Sequence, residues 1–168
     1  MDQQKFAETA IAAFEAQGIG VVAGVPDGLF TGLIEALCAH STIHYVACAR
    51  EEECLGVAAG ALMAGQKAAV IIQNAGLLNS LGAYATLLDR YRLPVPILVA
   101  HRGGLFDRKA YDIEKYRATE ALDGDYYRCF RTTHSDLSEK TVSAFIDWCR
   151  VASQPALLLI EKGEADGQ

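Results

Sequence analysis

Four apolar runs, GVVAGV (20–25), IHYVAC (43–48), KAAVIIQ (67–73) and PVPILVA (94–100), recur along the first hundred residues. They are nearly continuous rather than alternating, the pattern of strands whose two faces are both covered by helices. The intervening segments have helical spacing. Phe6, Ala10 and Phe14 form a stripe that predicts a first helix closed at Gly18. Pro26-Asp27-Gly28 breaks the chain before a second helix carrying Phe30, Leu33, Ile34, Leu37 and Cys38 on one side. A third helix is expected from Glu51 to Met63 and a fourth from about Leu77 to Leu88, with Ser80 in its first turn. After Gly104 the pattern weakens to a helix over Ala110 to Leu122, an edge strand at YYRCFRT (126–132) and a helix over Leu137 to Val151. PALLLIE (155–161) closes the sheet. The expected fold is α/β: a three-layer open parallel sheet with helices on both faces. It forms one domain over residues 1–163 with a disordered tail at 164–168.

Charge and cysteine usage exclude several functions. There are 15 Lys plus Arg and 21 Asp plus Glu, a formal charge of −6, whereas nucleic-acid binding calls for a dominant basic surface. The densest basic stretch, Arg90 to Arg117, is interleaved with Asp107, Asp112 and Glu114 and reads as a solvated face. Cys38, Cys48, Cys54, Cys129 and Cys149 are odd in number and contain no Cys-x-x-Cys pair. Neither a disulfide framework nor a zinc ribbon is written here, and a reducing compartment fits. The opening MDQQKFAETA lacks the basic start and apolar core of a signal peptide, and no apolar run reaches the roughly 18 residues of a membrane span. A cytoplasmic protein is expected.

Three motif matches fail on context. Gly18-Ile19-Gly20 follows a helix and enters a strand, the reverse of a phosphate-cradling loop. Gly60 to Lys67 resembles a P-loop spacing but also lies between helix and strand. Leu78-Asn79-Ser80-Leu81-Gly82 lacks the first glycine of a nucleophile elbow. Arg50-Glu51-Glu52-Glu53 is more informative. Carboxylates at a helix N-terminus are each stabilised by roughly 0.3 to 1 kcal/mol, which suffices to explain an exposed turn. Successive helical residues point about 100° apart, however, so the three glutamates have different environments. At least one is expected to face the crevice at the strand's carboxyl end, where open parallel sheets bind ligands.

GVPDG (24–28), REEECLGVAAGALMAG (50–65), QNAGLLNSLGA (73–83) and LVAHRGG (98–104), in this order, resemble the pyrimidine-binding domain of thiamine-diphosphate enzymes. The resemblance is strong over about residues 5–104 and is greatest to sulfopyruvate and phosphonopyruvate decarboxylases. It implies that Glu51, nine residues before Gly60, is catalytic, hydrogen-bonding N1′ of the aminopyrimidine and favouring its imino tautomer. It places Pro26, Asn74, Gly76 and Asn79 against the cofactor, and Asp27, His101 and Arg102 on the substrate side. It departs from the family at Leu78, where glycine is usual, and in LFDRKAYDIEKYRATEA (105–121), so a sulfonate or phosphonate specificity does not carry over. Thiamine diphosphate also needs a Gly-Asp-Gly motif with a downstream Asn to hold Mg2+. Asp123-Gly124-Asp125 is not that motif, and no metal site is expected on this chain. The resemblance thus implies half a cofactor site, with a beta subunit supplying the rest in an α2β2 or larger assembly. The reaction implied is decarboxylation of a small 2-oxo acid. A carboligase subunit, a noncatalytic regulatory partner and a flavodoxin-like binding module are the alternatives.

Overall fold

A computed structural model describes residues 2–107, 109–124 and 126–164. Its elements are α1 (Gln3–Gln17), β1 (Val21–Gly24), α2 (Thr31–Ala39), β2 (His44–Ala47), α3 (Glu51–Met63) and β3 (Ala68–Gln73). Next come α4 (Asn74–Asn79), α5 (Leu81–Ala83), β4 (Pro96–Ala100), α6 (Ile113–Leu122), β5 (Cys129–Thr133), α7 (Glu139–Ala152) and β6 (Ala156–Glu161). The six strands form one parallel sheet in the order β2-β1-β3-β4-β6-β5. The expected three-layer α/β architecture is what the chain adopts, with the 126–132 run forming an edge strand at Cys129–Thr133. Of the expected tail, all but Glu164 lies outside the described residues.

Alternate residues of each central strand serve opposite faces. Ile71, Leu98, Leu158 and Ile160 join a core with Phe6, Phe14 and Phe145 under α1, α2 and α7. Val70, Ile72, Ile97, Val99 and Leu159 join a second core with Leu55, Leu77 and Leu88 under α3 and α4. Two cores per strand explain why the strand sequences are apolar at every position. Helix ends follow capping chemistry. Asp2 accepts from Lys5 N at the start of α1, and Gly18, at φ 68°, closes it with Ile19 N donating to Phe14 O at 2.8 Å. Ser138 accepts from Thr141 N at the start of α7.

The fourth helix differs from expectation. It begins at Asn74, immediately after β3, and breaks at Ser80 before α5 and a π-helical stretch at Tyr84–Asp89. Ser80 is therefore at a helix break, where its hydroxyl donates to Leu77 O at 3.2 Å. Local hydroxyl-to-carbonyl bonding of this kind competes with the helical ladder.

Gly24 ends β1 where no side chain fits. An added Cβ would lie 2.5 Å from Ile71 Cγ1 and 2.8 Å from Ile71 O. Because the obstacle includes backbone, Gly24→Ala is expected to cost about 1–3 kcal/mol. Thermal unfolding checks this as a fall of roughly 2–4 °C per kcal/mol.

Candidate active site

The strand order reverses between β1 and β3, and in open parallel sheets the crevice outside the carboxyl ends at such a point is where ligands bind. The chain leaves β1 through Pro26 and Asp27, leaves β3 at Gln73, and begins α3 and α4 at this same edge. The three glutamates of α3 separate into three roles. Glu53 Oε2 accepts from Ala49 N at 3.0 Å and Arg50 N at 3.2 Å, capping the backbone at the start of α3. Glu52 pairs with Arg50 at 3.6 Å on the surface. Glu51 instead lies against Gly76 of α4, where an added Cβ would collide with its Cγ, Cδ and Oε1. Glycine at 76 is thus what leaves room for the Glu51 carboxylate.

A hydrogen-bonded frame stands beside it. Asp27 Oδ1 accepts from Leu29 N and from Arg102 Nη2, each at 2.8 Å, while Asp27 Oδ2 accepts from Gln73 Nε2 at 2.7 Å. Gln73 Oε1 accepts from Lys115 Nζ at 3.1 Å, and Lys115 also pairs with Asp112. Arg102 Nη1 is 3.7 Å from Asp107, which is 3.4 Å from Lys162 Nζ. Only 9% of the Arg102 side chain and 8% of that of Asp27 are exposed. The ends of β1, β3 and β4 are thereby joined to α6 by groups that neutralise one another.

The structure places the other expected site residues as follows. Asn74 is wholly buried, and its side chain is committed to the Arg102 backbone: Nδ2 donates to Arg102 O at 3.0 Å, and Arg102 N donates to Asn74 Oδ1 at 3.4 Å. It supports the strand-end loop from behind. Arg102, expected to meet an anionic substrate group, is already paired with Asp27 and Asp107. His101, also expected on the substrate side, has a fully enclosed side chain. Its Nδ1 donates to Glu161 Oε1 at 3.1 Å, its ring stacks on Tyr116 at 4.4 Å, and its Nε2 is 3.7 Å from Glu120. Pro26 and Asn79 are exposed, Pro26 after β1 and Asn79 at the end of α4. The sequence singled out neither Gln73 nor Glu161. Each is a polar residue ending an otherwise apolar strand, a signal by which both could have been found.

Among the described residues there is no group of three potential His, Cys, Asp or Glu metal ligands. Asp123 accepts from Arg131 at 2.6 Å, and Asp125 lies outside the described residues.

The chain is a doubly wound α/β domain with a partly exposed carboxylate seated on a glycine at its switch point. Residues 4–109 match the N-terminal TPP binding domain of thiamine pyrophosphate enzymes, and the chain belongs to that family. It is 36% identical over 132 residues to sulfopyruvate decarboxylase subunit alpha of Methanothermobacter thermautotrophicus, covering 76% of this chain and 78% of that one. It is 33% identical to phosphonopyruvate decarboxylase of Streptomyces viridochromogenes, over 55% of this chain and 23% of that one. The fold matches benzoylformate decarboxylase of Polynucleobacter necessarius with a TM-score of 0.72 at 16% identity, over 93% of this chain and 29% of that one. This chain therefore spans about a quarter to a third of these last two proteins.

The His101 hydrogen bond holds the Glu161 carboxyl below the usual carboxylate range, outweighing the burial that raises it. A carboxyl whose pKa is lowered by folding stabilises above its unfolded value, about 4.3, and that contribution is lost as pH falls through the lower folded-state value. Chemical denaturation at pH 7 and pH 3 should therefore show wild type losing more stability in acid than Glu161→Gln. Equal losses would dissociate Glu161 from acid unfolding.

Proposed function

We propose that this chain is the alpha subunit of a split thiamine-diphosphate-dependent 2-oxo acid decarboxylase. In this reading Glu51 activates the cofactor's aminopyrimidine, and a beta subunit holds the diphosphate through Mg2+. The observation that carries the reading is the Glu51 carboxylate lying on Gly76 at the switch point, in a chain of the thiamine pyrophosphate enzyme family. The residues present fit the aminopyrimidine half of the cofactor: an ionisable carboxylate, a side-chain-free neighbour and the exposed Pro26 at one crevice. The names of the relatives support decarboxylation and the subunit role.

Thiamine diphosphate, when bound, supplies the electron sink that lets a 2-oxo acid lose carbon dioxide. The chain's own residues position it and move one proton. The Glu51 carboxylate would hold and share a proton with the aminopyrimidine, and a positioned transfer of this kind is worth on the order of 10² to 10⁴ in rate. Gly76, Pro26 and Asn79 would border the cofactor on this side. Asp27 and Arg102, as a neutral pair, shape the substrate side, while Asn74 and His101 hold that loop from behind. A short 2-oxo acid substrate, an α2β2 or larger assembly and a cytoplasmic location complete the reading. Among the described residues no helix is long and apolar enough to cross a membrane.

Glu51→Gln preserves side-chain shape and removes the ionisable acid. It is expected to leave the melting temperature unchanged while turnover of the assembled enzyme falls about 10²-fold or more. Unchanged turnover would overturn the role of Glu51. Calorimetric titration of thiamine diphosphate and Mg2+ is expected to detect binding only when the beta subunit is present. Tight stoichiometric binding by this chain alone would refute the half-site assignment.

A further inference from the structure

α6 packs at the carboxyl edge of the sheet with almost no apolar anchor. Its one buried residue is Thr119, which is polar, while Ile113 is exposed and Leu122 only half-buried. The helix nevertheless lies close to the sheet: a Cβ added at Gly103, in the loop after β4, would come 2.9 Å from Tyr116 Cβ. A helix that buries so little hydrocarbon depends on its polar contacts to stay in place. Those contacts converge on His101, which follows the last residue of β4 and stacks on Tyr116.

The enclosed ring of His101 meets a carboxylate at each nitrogen. Nδ1 is 3.1 Å from Glu161 Oε1 of β6, and Nε2 is 3.7 Å from Glu120 Oε1 of α6, with no hydrogen-bond partner for Nε2 among the described residues. Donation to Glu161 puts a hydrogen on Nδ1. A neutral ring would then turn its Nε2 lone pair toward the Glu120 carboxylate in a space closed to water, whereas a ring protonated at both nitrogens turns an N–H toward it. Glu120 accepts from Arg131 Nη2 of β5 at 2.7 Å, and Asp123, after α6, accepts from Arg131 Nη1 at 2.6 Å, so the three acids around the ring outnumber Arg131. The Tyr116 hydroxyl donates to Glu161 Oε1 at 3.3 Å. Burial, and then the charges of Glu161 and Glu120, push its pKa up and keep it a neutral donor.

We infer that His101 is a positioning residue whose doubly protonated ring, held between Glu161 and Glu120, clamps α6 to the carboxyl edge of the sheet. Through Lys115 on the same helix the clamp reaches the crevice: Lys115 Nζ donates to Gln73 Oε1 at 3.1 Å, and Gln73 Nε2 donates to Asp27 Oδ2 at 2.7 Å. The docked position is favoured by the charged ring, so it is present while the ring holds its second proton and is lost as rising pH removes it. Release of α6 then withdraws Lys115 from the frame beside Arg102. The clamp is a property of this chain alone, and only its consequence for turnover rests on the split-enzyme reading.

Nitrogen-15 NMR and hydrogen exchange on the full chain test the clamp without a partner. At pH 6 the His101 ring should show both nitrogens protonated. As its second proton is titrated away, the α6 amides, corrected for intrinsic exchange, should lose protection by about tenfold or more, the scale of a hydrogen bond to a charged group, while α7 keeps its own. Acylation of Lys115 by an N-hydroxysuccinimide ester, relative to the exposed Lys140, should rise several-fold over the same titration. His101→Gln cannot take up the charge and should leave α6 weakly protected whatever the pH. A singly protonated ring at pH 6, α6 protection that ignores the titration, or a wild-type pH response in His101→Gln would overturn the clamp; the first two are read on the wild-type chain and do not depend on the variant folding. Constant Lys115 labelling alongside a titrating α6 would overturn the link to the crevice. Failure of the chain to bind thiamine diphosphate with a beta subunit present would overturn the split-enzyme reading and leave all of these outcomes in force.

Discussion

Parallel pairing obliges every strand of this sheet to finish at the same edge, and the rest of the molecule follows from that obligation. The register aligns Gln73 with Ala100 and Ala100 with Ile160. The next residues along the chain are therefore neighbours too: Asn74 reaches the Arg102 backbone, and His101 reaches Glu161. Polar groups expelled from the apolar strands collect at one rim, where each finds a partner from another strand. The crevice beside them exists because the chain leaves β1 and β3 toward opposite helical layers.

Within that edge, neighbouring residues of one type diverge. Three consecutive glutamates open α3, and the helical rotation between them suffices to give one a backbone cap, one a surface ion pair and one the crevice. The surface pair contributes little stability. The cap fixes where the helix starts and hence where Glu51 stands. Gly76 completes the arrangement by omitting a side chain, so the position of the carboxylate depends on a residue in another helix.

Much of the fold was legible because period and run length are local properties. Each apolar run matched a strand of the sheet, and Gly18 closed α1 as its position implied. The break at Ser80 was not legible, because a hydroxyl competing for Leu77 O looks in sequence like any serine in a helix. At the site, the divergence of the three glutamates followed from helical geometry alone. The commitments of Asn74, His101 and Arg102 did not, since their partners lie 28, 60 and 75 residues away. A strand-end histidine or arginine has the same local sequence whether it faces solvent or a buried carboxylate.

The pairing of Arg102 with two carboxylates also has a direction in time. Loss of Arg102 would remove from the nearly buried Asp27 and Asp107 the cation they share, a costly state because buried charges require partners. Loss of Asp27 would leave Arg102 with Asp107 still beside it, and Asp107 with Lys162. A lineage exploring new crevice shapes can therefore change position 27 first and position 102 afterwards, while the reverse order crosses an unstable intermediate. The ion network acts as a ratchet on the routes by which this rim can evolve.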